Sequence, residues 1–267
     1  MDKEQILKEY KKQDDKICLS QILDKIEFSK TRDKIEHTDF LDMYQISLVE
    51  NFLRKIKFEN YILYGGYDNA ERKILIVFSD KYTKEMVEKN YEKMLKVVRI
   101  SLLKEQQGKY IHRNYLGGIV KLGLKREKVG DILVFDEGAD ILAIDDFASI
   151  LKQELLSLTR FESSTIDIEE IVDIRKRDVK LEEIKIIIPS FRLDNFVSDL
   201  ARTSRSKAVQ IISQERVFIN GKNELKASKT VKIGDVITIR GKGRFVIKGI
   251  SGITKSGRSV VMIEKYV

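Results

Sequence analysis

The sequence predicts an α+β protein whose last third is a separate basic domain. Helix-type and strand-type apolar patterns alternate along the chain, and the single proline, Pro189, interrupts them late. The excess positive charge follows that proline: from residue 190 onward there are 16 Lys and Arg against 6 Asp and Glu, whereas the preceding residues hold 34 and 36. A basic domain on a near-neutral body is typical of proteins that bind a polyanion such as nucleic acid.

Length and composition narrow the class of protein. The 267 residues, 42% of them apolar, are enough for two or three small domains. One cysteine, Cys18, excludes an internal disulfide framework and is typical of a reducing compartment. The charged start of the chain contains no apolar signal segment, and no apolar run is long enough to span a bilayer. We therefore expect a cytoplasmic monomer without a membrane partner.

Residues 1–80 are predicted to form an N-terminal domain of helices and strands. Apolar residues between positions 40 and 56 recur at three- and four-residue intervals, which indicates an amphipathic helix with Thr38 as its N-cap. A Gly-Gly turn and the apolar run KILIVF then indicate strands.

Residues 81–188 are predicted to form a middle domain in which strands and helices alternate. The stretch HRNYLGGIVKLGLKREKVGDILVF indicates a helix that stops at Gly123, a basic loop and a strand. A ferredoxin-like, RNA-recognition-like sheet with helices on one face is expected. The aromatic residues with which RNA-recognition sheets stack bases are missing, which leaves the sheet face as a packing surface.

Residues 189–267 are predicted to form the basic domain. A short amphipathic helix buries Leu193, Phe196, Val197 and Leu200. Ser204 is the expected N-cap of a second helix, which places Arg205 and Lys207 in its first turn. Cations there oppose the helix dipole unless a phosphate binds. Short strands follow, with Asn-Gly at positions 220 and 221 as a hairpin turn.

Two stretches of this domain resemble a known RNA-binding family. RLDNFVSDLARTSRSKAVQIISQERVFING, followed by VKIGDVITIRGKGRF, is similar to an S4-type domain over residues 190–244. In that family two helices and the following hairpin bind structured RNA. Glu215 departs from the pattern, because the family usually has Gly where the second helix ends. With HRNYLGGIVKLGLKREKVGDILVF and YGGYDNAERKILIVF, essentially the whole chain resembles the YlmH family of bacterial S4-type proteins.

The resemblance to the YlmH family implies an N-terminal domain, an RNA-recognition-like middle domain and a C-terminal S4-type domain. It also implies binding to ribosomal RNA, tRNA or both on the large ribosomal subunit, in quality control that rescues stalled peptidyl-tRNA complexes. The family is associated with the division gene cluster of Gram-positive bacteria. An interaction factor for cell division is therefore the alternative function.

Two groups of residues are expected to contact RNA. The first comprises the cations and hydroxyls at the start of the second S4-type helix, two flanking arginines and two hairpin residues: Arg202, Thr203, Ser204, Arg205, Lys207, Arg192, Arg216, Asn220 and Lys222. The second is a contact of the middle domain with RNA or a ribosomal protein: His112, Arg113, Lys125, Arg126 and Lys128. A charged loop at the rim of the sheet is the other interpretation of the second group.

No catalytic site, cofactor or metal is expected. Arg192-Leu193-Asp194 matches the start of a pseudouridine synthase motif, but Asn replaces the Thr that should follow, and the position lies within a helix without a pocket. The Gly-rich stretches at 117–118 and 241–243 lie in a helix and a turn, whereas a methyltransferase needs such a loop after a strand. Two His and one Cys are too few for a typical zinc site. An RNA-modifying enzyme is the less favoured alternative.

Overall fold

The structure, a computed structural model, describes residues 3–175 and 181–266. The chain divides into two compact units, residues 1–177 and 178–267. Each unit combines helices with antiparallel sheet, so the predicted α+β class is confirmed. None of the helices in the described ranges combines the length and apolarity needed to cross a bilayer.

The first unit opens with helices and a small antiparallel sheet. Its elements are α1 (Lys3–Leu7), α2 (Gln13–Arg32), β1 (Glu36–Leu41), α3 (Met43–Lys55), β2 (Tyr61–Tyr64) and β3 (Lys73–Val77). The strand order is β1-β3-β2. The expected N-cap Thr38 lies within β1 instead, because its Oγ1 accepts a hydrogen bond from the Leu75 backbone in β3 at 2.9 Å. Asp42 caps α3 through a 2.8 Å hydrogen bond from the Gln45 backbone.

A four-stranded antiparallel sheet forms the rest of the first unit. Its elements are α4 (Lys84–Glu88), β4 (Leu95–Ser101), α5 (His112–Lys121), β5 (Val129–Phe135), β6 (Gly138–Ile144), α6 (Asp145–Leu156) and β7 (Thr165–Glu170). The strand order is β5-β6-β4-β7. From β4 to β7 the elements follow the order β-α-β-β-α-β, which is the order expected of a ferredoxin-like sheet.

Both faces of the four-stranded sheet are covered. Helices α5 and α6 pack on one face. On the other face, Val97 and Leu142 share a core with Phe40 and Ile74 of the three-stranded sheet. Gly130 permits this approach, since a Cβ at that position would lie 2.7 Å from the Phe40 ring. The sheet face is thus a packing surface, and the first two predicted domains share one core.

A buried carboxylate fastens the end of this sheet. Asp140 in β6 is fully buried and accepts hydrogen bonds from Arg99 Nε and Nη2 at 2.9 and 3.0 Å. It also accepts from Arg175 Nη2 at 2.6 Å and from the Arg175 backbone at 3.0 Å. Burial alone would raise the pKa of Asp140, but the hydrogen bonds from the two arginines outweigh burial and hold it below its ordinary value. The cluster therefore attaches the segment after β7 to the sheet.

The second unit is a six-stranded antiparallel sheet with two helices on one face. Its elements are β8 (Leu181–Ile188), α7 (Leu193–Leu200), α8 (Arg205–Ser213), β9 (Val217–Ile219), β10 (Lys222–Asn223), β11 (Val236–Ile239), β12 (Gly243–Ile253) and β13 (Ser259–Tyr266). The strand order is β10-β9-β11-β12-β13-β8. Phe196 of α7 and Ile212 of α8 pack against Ile237 and Ile263 of the sheet.

Residues 181–188, which we placed at the end of the predicted middle domain, form β8 and belong to this second sheet. β8 pairs with β13 along its whole length, with Leu181 opposite Tyr266 and Ile188 opposite Ser259. The partner strand starts 71 positions after β8 ends, so no local pattern indicates the pairing. The sheet therefore begins before residue 189. The predicted division into residues 1–80, 81–188 and 189–267 otherwise stays a prediction.

Candidate nucleic-acid interface

The turn between α7 and α8 places two predicted cations at a helix N-terminus. Ser204 is the N-cap of α8, as predicted, and its Oγ accepts a hydrogen bond from the Lys207 backbone at 3.3 Å. Arg205 and Lys207 are exposed in the first helical turn, whose sequence Arg-Ser-Lys-Ala contains no carboxylate. Backbone N–H groups and side-chain cations together make this end of α8 electropositive, which favours a bound phosphate.

Asp194 joins two of the predicted RNA-contacting arginines. Although it is only 2% exposed, it accepts hydrogen bonds from Arg192 Nε and Nη2 at 3.1 and 2.8 Å. It accepts two more from Arg205 Nε and Nη2 at 3.0 and 2.9 Å. The hydrogen bonds from Arg192, with those from Arg205, hold the pKa of Asp194 below its ordinary value against the effect of burial. The structure thus brings Arg192, which we expected at the flank, beside Arg205.

The cluster of Arg192, Asp194 and Arg205 presents positive charge in a fixed geometry. The side chains of Arg192 and Arg205 are 41% and 55% exposed. Each uses its Nε and Nη2 edge on the same carboxylate, and the three groups retain a net charge of +1. Arginine side chains that are already ordered lose less conformational entropy when an anion binds. The cluster is therefore a fixed arrangement of cations whose charge and geometry suit an anion such as phosphate.

A left-handed residue shapes the groove beside this cluster. Arg202 has φ +51°, and its backbone N–H donates to the Asp199 carbonyl oxygen at 3.0 Å. The Thr203 N–H donates to the Ser198 carbonyl oxygen at 2.9 Å, which completes a Schellman motif at the end of α7. The resulting shallow polar groove is lined by Ser198, Asp199, Arg202, Thr203 and Ser204. Three predicted contact residues, 202 to 204, therefore lie together.

Arg216 and Lys222 lie beyond the other end of α8. This helix of nine residues is about 13 Å long. Arg216 follows its C-terminal end, and its Nη2 donates to the Arg240 carbonyl oxygen at 3.0 Å. Lys222 is exposed in β10. The predicted first group is thus divided between the two ends of one helix.

Asn220, which we expect to contact RNA, makes two hydrogen bonds within the fold. Its Nδ2 donates to Asp235 Oδ1 at 2.8 Å, and its Oδ1 accepts from the Val236 backbone at 2.8 Å. The predicted hairpin turn is present, since Asn220 and Gly221 have φ values of +49° and +77°. The amide of Asn220 fastens this turn to β11 and is used within the fold.

The structure also divides the second predicted group. Arg126 Nη1 donates to the carbonyl oxygens of Val129 and Gly130, and burial lowers its pKa to about 10. Lys128 forms an ion pair with Asp39 at 2.8 Å. These two cations hold the loop to the body of the first unit, and their expected contact with RNA or a ribosomal protein stays a prediction. The exposed members of the group are His112, Arg113 and Lys125.

Asp194 is the residue whose role the sequence did not reveal. The sequence offered it as a nucleophile, and we set that role aside. Arg192 stands two positions before it, but Arg205 stands eleven positions after it, in another helix. The signal that the sequence offered for this role is the position of Asp194, a carboxylate shortly before the cations at residues 202–207. The packing of α7 against α8 is what brings Arg205 to Asp194.

Glu215→Gly should raise the free energy of unfolding by about 0.5–1 kcal/mol, measured by denaturant titration of the full chain. Glu215 stands immediately after the C-cap of α8 and has φ +58°, where the S4-type resemblance leads us to expect Gly. A side chain in this left-handed region is strained, and Gly is not. Gln214→Gly is the matched control, because Gln214 has φ −81° and should only lose stability. An unchanged midpoint for Glu215→Gly would contradict the prediction.

Two family profiles match the chain. The S4 domain matches residues 191–237, and the family described as "Putative RNA-binding domain in YlmH" matches residues 95–187. The first match includes the whole α7–α8 turn with its arginine cluster. The second covers the four-stranded sheet with its helices and extends through most of β8.

Similar proteins include one relative matched over nearly the whole chain and one solved structure matched over part of it. The chain is 27% identical over 260 residues to the ribosome-associated protein quality control protein P2 of Bacillus subtilis (strain 168), a match that covers 95% of this chain and 96% of that protein. It is also similar to the structure of the cell division protein ylmH from Streptococcus pneumoniae, with a TM-score of 0.43 and 18% identity over 60% of this chain and 93% of that one. The two profile matches confirm the predicted resemblance to the YlmH family: residues 95–187 match the putative RNA-binding domain in YlmH, and an S4 domain follows at residues 191–237.

Proposed function

We propose that this protein is a non-catalytic, cytoplasmic RNA-binding factor of ribosome-associated quality control, which binds ribosomal RNA, tRNA or both on the large ribosomal subunit. The observation that carries the proposal is the arginine cluster on Asp194 at the electropositive start of α8. The S4 and YlmH domains and the relative named for ribosome-associated quality control support it.

The start of α8 can bind RNA through its phosphates. Arg192 and Arg205 offer N–H donors in planar groups that match phosphate oxygens, and Lys207 adds a point charge. The groove beside them supplies the hydroxyls of Thr203 and Ser204. Each phosphate neutralised should contribute about −0.7 to −0.9 to the slope of log K against log salt concentration.

The environment of Asp194 favours binding over catalysis. Both carboxylate oxygens accept hydrogen bonds from arginine, and the residue is 2% exposed. A nucleophile in a pseudouridine synthase has to reach a base. Asp194 instead orders two cations that an RNA backbone can contact.

Co-sedimentation with large ribosomal subunits tests the proposal. Wild type should travel with the subunit in a sucrose gradient, whereas Arg205→Glu should remain at the top, because it reverses a phosphate-binding charge and adds a second carboxylate beside Asp194. Lys207→Glu should lose at least tenfold in affinity without touching that cluster. Arg258→Glu is the matched control: it reverses an exposed charge in the turn between β12 and β13 and should bind like wild type.

Three outcomes would count against the proposal. Wild type that stays at the top of the gradient at low salt would remove the ribosome as partner. Equal binding by wild type, Arg205→Glu and Lys207→Glu would show that the start of α8 is not the contact. Association with cell components that survives ribonuclease would favour a protein partner, as an interaction factor for cell division requires.

A further inference from the structure

The sheet of the second unit has an outer face, which we define as the face opposite α7 and α8. Val217, Ile237 and Phe245 belong to the core beneath the helices. Because side chains alternate along a strand, their neighbours Phe218, Thr238 and Arg244 point to the outer face. Thr238 stands opposite Phe218 in β9 and opposite Arg244 in β12, so the three side chains form one row across the strands.

An arginine covers an aromatic ring at each end of this row. Cζ of Arg240 lies 4.9 Å from the centroid of the Phe218 ring. Cζ of Arg244 lies 5.2 Å from the centroid of the Tyr266 ring in β13. Both rings are half-buried and lie outside the hydrophobic core of the described residues. β9 and β13 are three strand spacings apart, so the two rings are separated by about 14 Å across the sheet.

The charge of the outer face is positive. Its cations include the exposed Lys185, Lys248 and Arg240 and the half-buried Arg244. Among the described residues of β8 and β13, Glu183 and Glu264 place carboxylates on this face, and Glu264 pairs with Lys248 at 3.2 Å. A flat surface that combines aromatic rings with cations suits unpaired bases and the phosphates between them. The bases of duplex RNA are stacked on one another and paired, so they are not available to stack on these rings.

We propose that the outer face is a second RNA-binding surface, which takes single-stranded RNA by stacking bases on Phe218 and Tyr266. A base displaces the guanidinium group of Arg240 or Arg244 from the face of its ring, and that guanidinium group then binds the adjacent phosphate. This surface differs from the start of α8, and it rests on the proposed function only in that the ligand is RNA. An acidic protein segment would match the charge of the face but would leave the two rings without a stacking partner.

A single introduced tryptophan can test the stacking directly. The natural sequence contains no Trp, so Phe218→Trp places a unique fluorophore in the row. Titration of the full chain with a short oligouridine should quench this fluorescence to saturation, with the same Kd as the anisotropy of the labelled oligouridine. Ile150→Trp is the matched control: it is exposed on α6 in the first unit and should show no quenching.

A second pair of variants measures affinity. Phe218→Leu keeps an apolar side chain on β9 but removes the ring, and it should bind oligouridine at least fivefold more weakly. Phe218→Tyr should bind like wild type. Phe218→Trp combined with Lys207→Glu should still be quenched, although Lys207→Glu lowers co-sedimentation with large subunits.

Several results would overturn the inference. One is a Phe218→Trp chain that binds oligouridine by anisotropy without quenching, and another is equal affinity for Phe218→Leu and wild type. Equal quenching by polyglutamate would show an acidic partner instead of RNA. Absence of oligouridine binding by wild type would overturn this inference alone. The proposed function fails separately, through the loss of co-sedimentation with large subunits.

Discussion

Asp140→Ala should lower the free energy of unfolding of the first unit by about 3–5 kcal/mol. Asp140 is fully buried, and its carboxylate compensates the positive charges of Arg99 and Arg175. Its removal leaves two guanidinium groups with poorer hydration than in the unfolded chain. It also removes the acceptor of the hydrogen bond that the Arg175 backbone N–H donates to the carboxylate at 3.0 Å. The segment after β7 should then detach from the sheet.

The loss at Asp140 can be measured by denaturant titration, with hydrogen exchange of β4 and β6 as the probe specific to the first unit. Asp136→Ala is the matched control, because Asp136 is exposed between β5 and β6 and should change stability by less than about 0.5 kcal/mol. A loss below about 1 kcal/mol for Asp140→Ala would show that the cluster is dispensable.

The pH dependence of the first unit follows from the same cluster. Since the pKa of Asp140 is lower in the folded than in the unfolded chain, the unfolded chain binds a proton more readily. The ordinary pKa of an Asp side chain is about 4. The stability that Asp140 contributes is therefore fully present above about pH 4, and it is lost as the pH falls through the lower pKa of Asp140 in the folded chain. Asp140→Ala should lack this part of the acid sensitivity.

Asp194→Asn should weaken RNA binding about three- to tenfold although it makes the protein more positive. Without the carboxylate, Arg192 and Arg205 are no longer held in place, and ordering the two on a phosphate costs about 1–3 kcal/mol, part of which the added positive charge offsets. The free energy of unfolding of the second unit should also fall by about 2 kcal/mol, because the hydrogen bonds lose their charged acceptor. The exposure of both arginines keeps this loss below that expected at Asp140.

Asp199→Asn separates preorganisation from charge. Asp199 lies in the same helix and lines the same groove, but it holds neither Arg192 nor Arg205. The substitution therefore removes one carboxylate and leaves the arginine cluster intact. It should bind large subunits at least as tightly as wild type. If Asp194→Asn bound as tightly as Asp199→Asn, net charge alone would govern affinity, and the fixed geometry of the arginines would be unimportant.

The features that the sequence predicted correctly depend on neighbours within a few residues. The Ser204 cap forms with the backbone three positions later, and the Asn-Gly turn needs positive φ at two adjacent positions. The apolar faces of α7 and α8 follow from three- and four-residue spacing. These local rules located the start of α8, and with it Arg205 and Lys207.

The features that the sequence did not predict depend on distant partners. Thr38 is a reasonable helix cap by sequence, but it lies in β1 and its hydroxyl accepts a hydrogen bond from the Leu75 backbone in β3. By sequence Arg126 is a typical surface cation, but in the structure it is half-buried and donates hydrogen bonds to two nearby backbone carbonyl oxygens. By sequence Asp194 is part of a possible catalytic motif, and its role as the acceptor for Arg205 depends on the packing of α8 against α7. Charge counts measure where cations are, but only packing decides which of them a ligand can reach.

The pairing of β8 with β13 also has a consequence during synthesis. The two strands are separated by more than 70 residues, so β8 leaves the ribosome roughly 4–15 s before its partner exists, at about 5–20 residues per second. During that interval Ile184, Ile186 and Ile188 form a strand with two open edges, the kind of segment that aggregates. Glu182 and Glu183 precede this apolar run and Lys185 interrupts it, which is the placement expected of gatekeeper residues. These three charged residues should therefore keep the unfinished chain from aggregating until β13 is available to pair with β8.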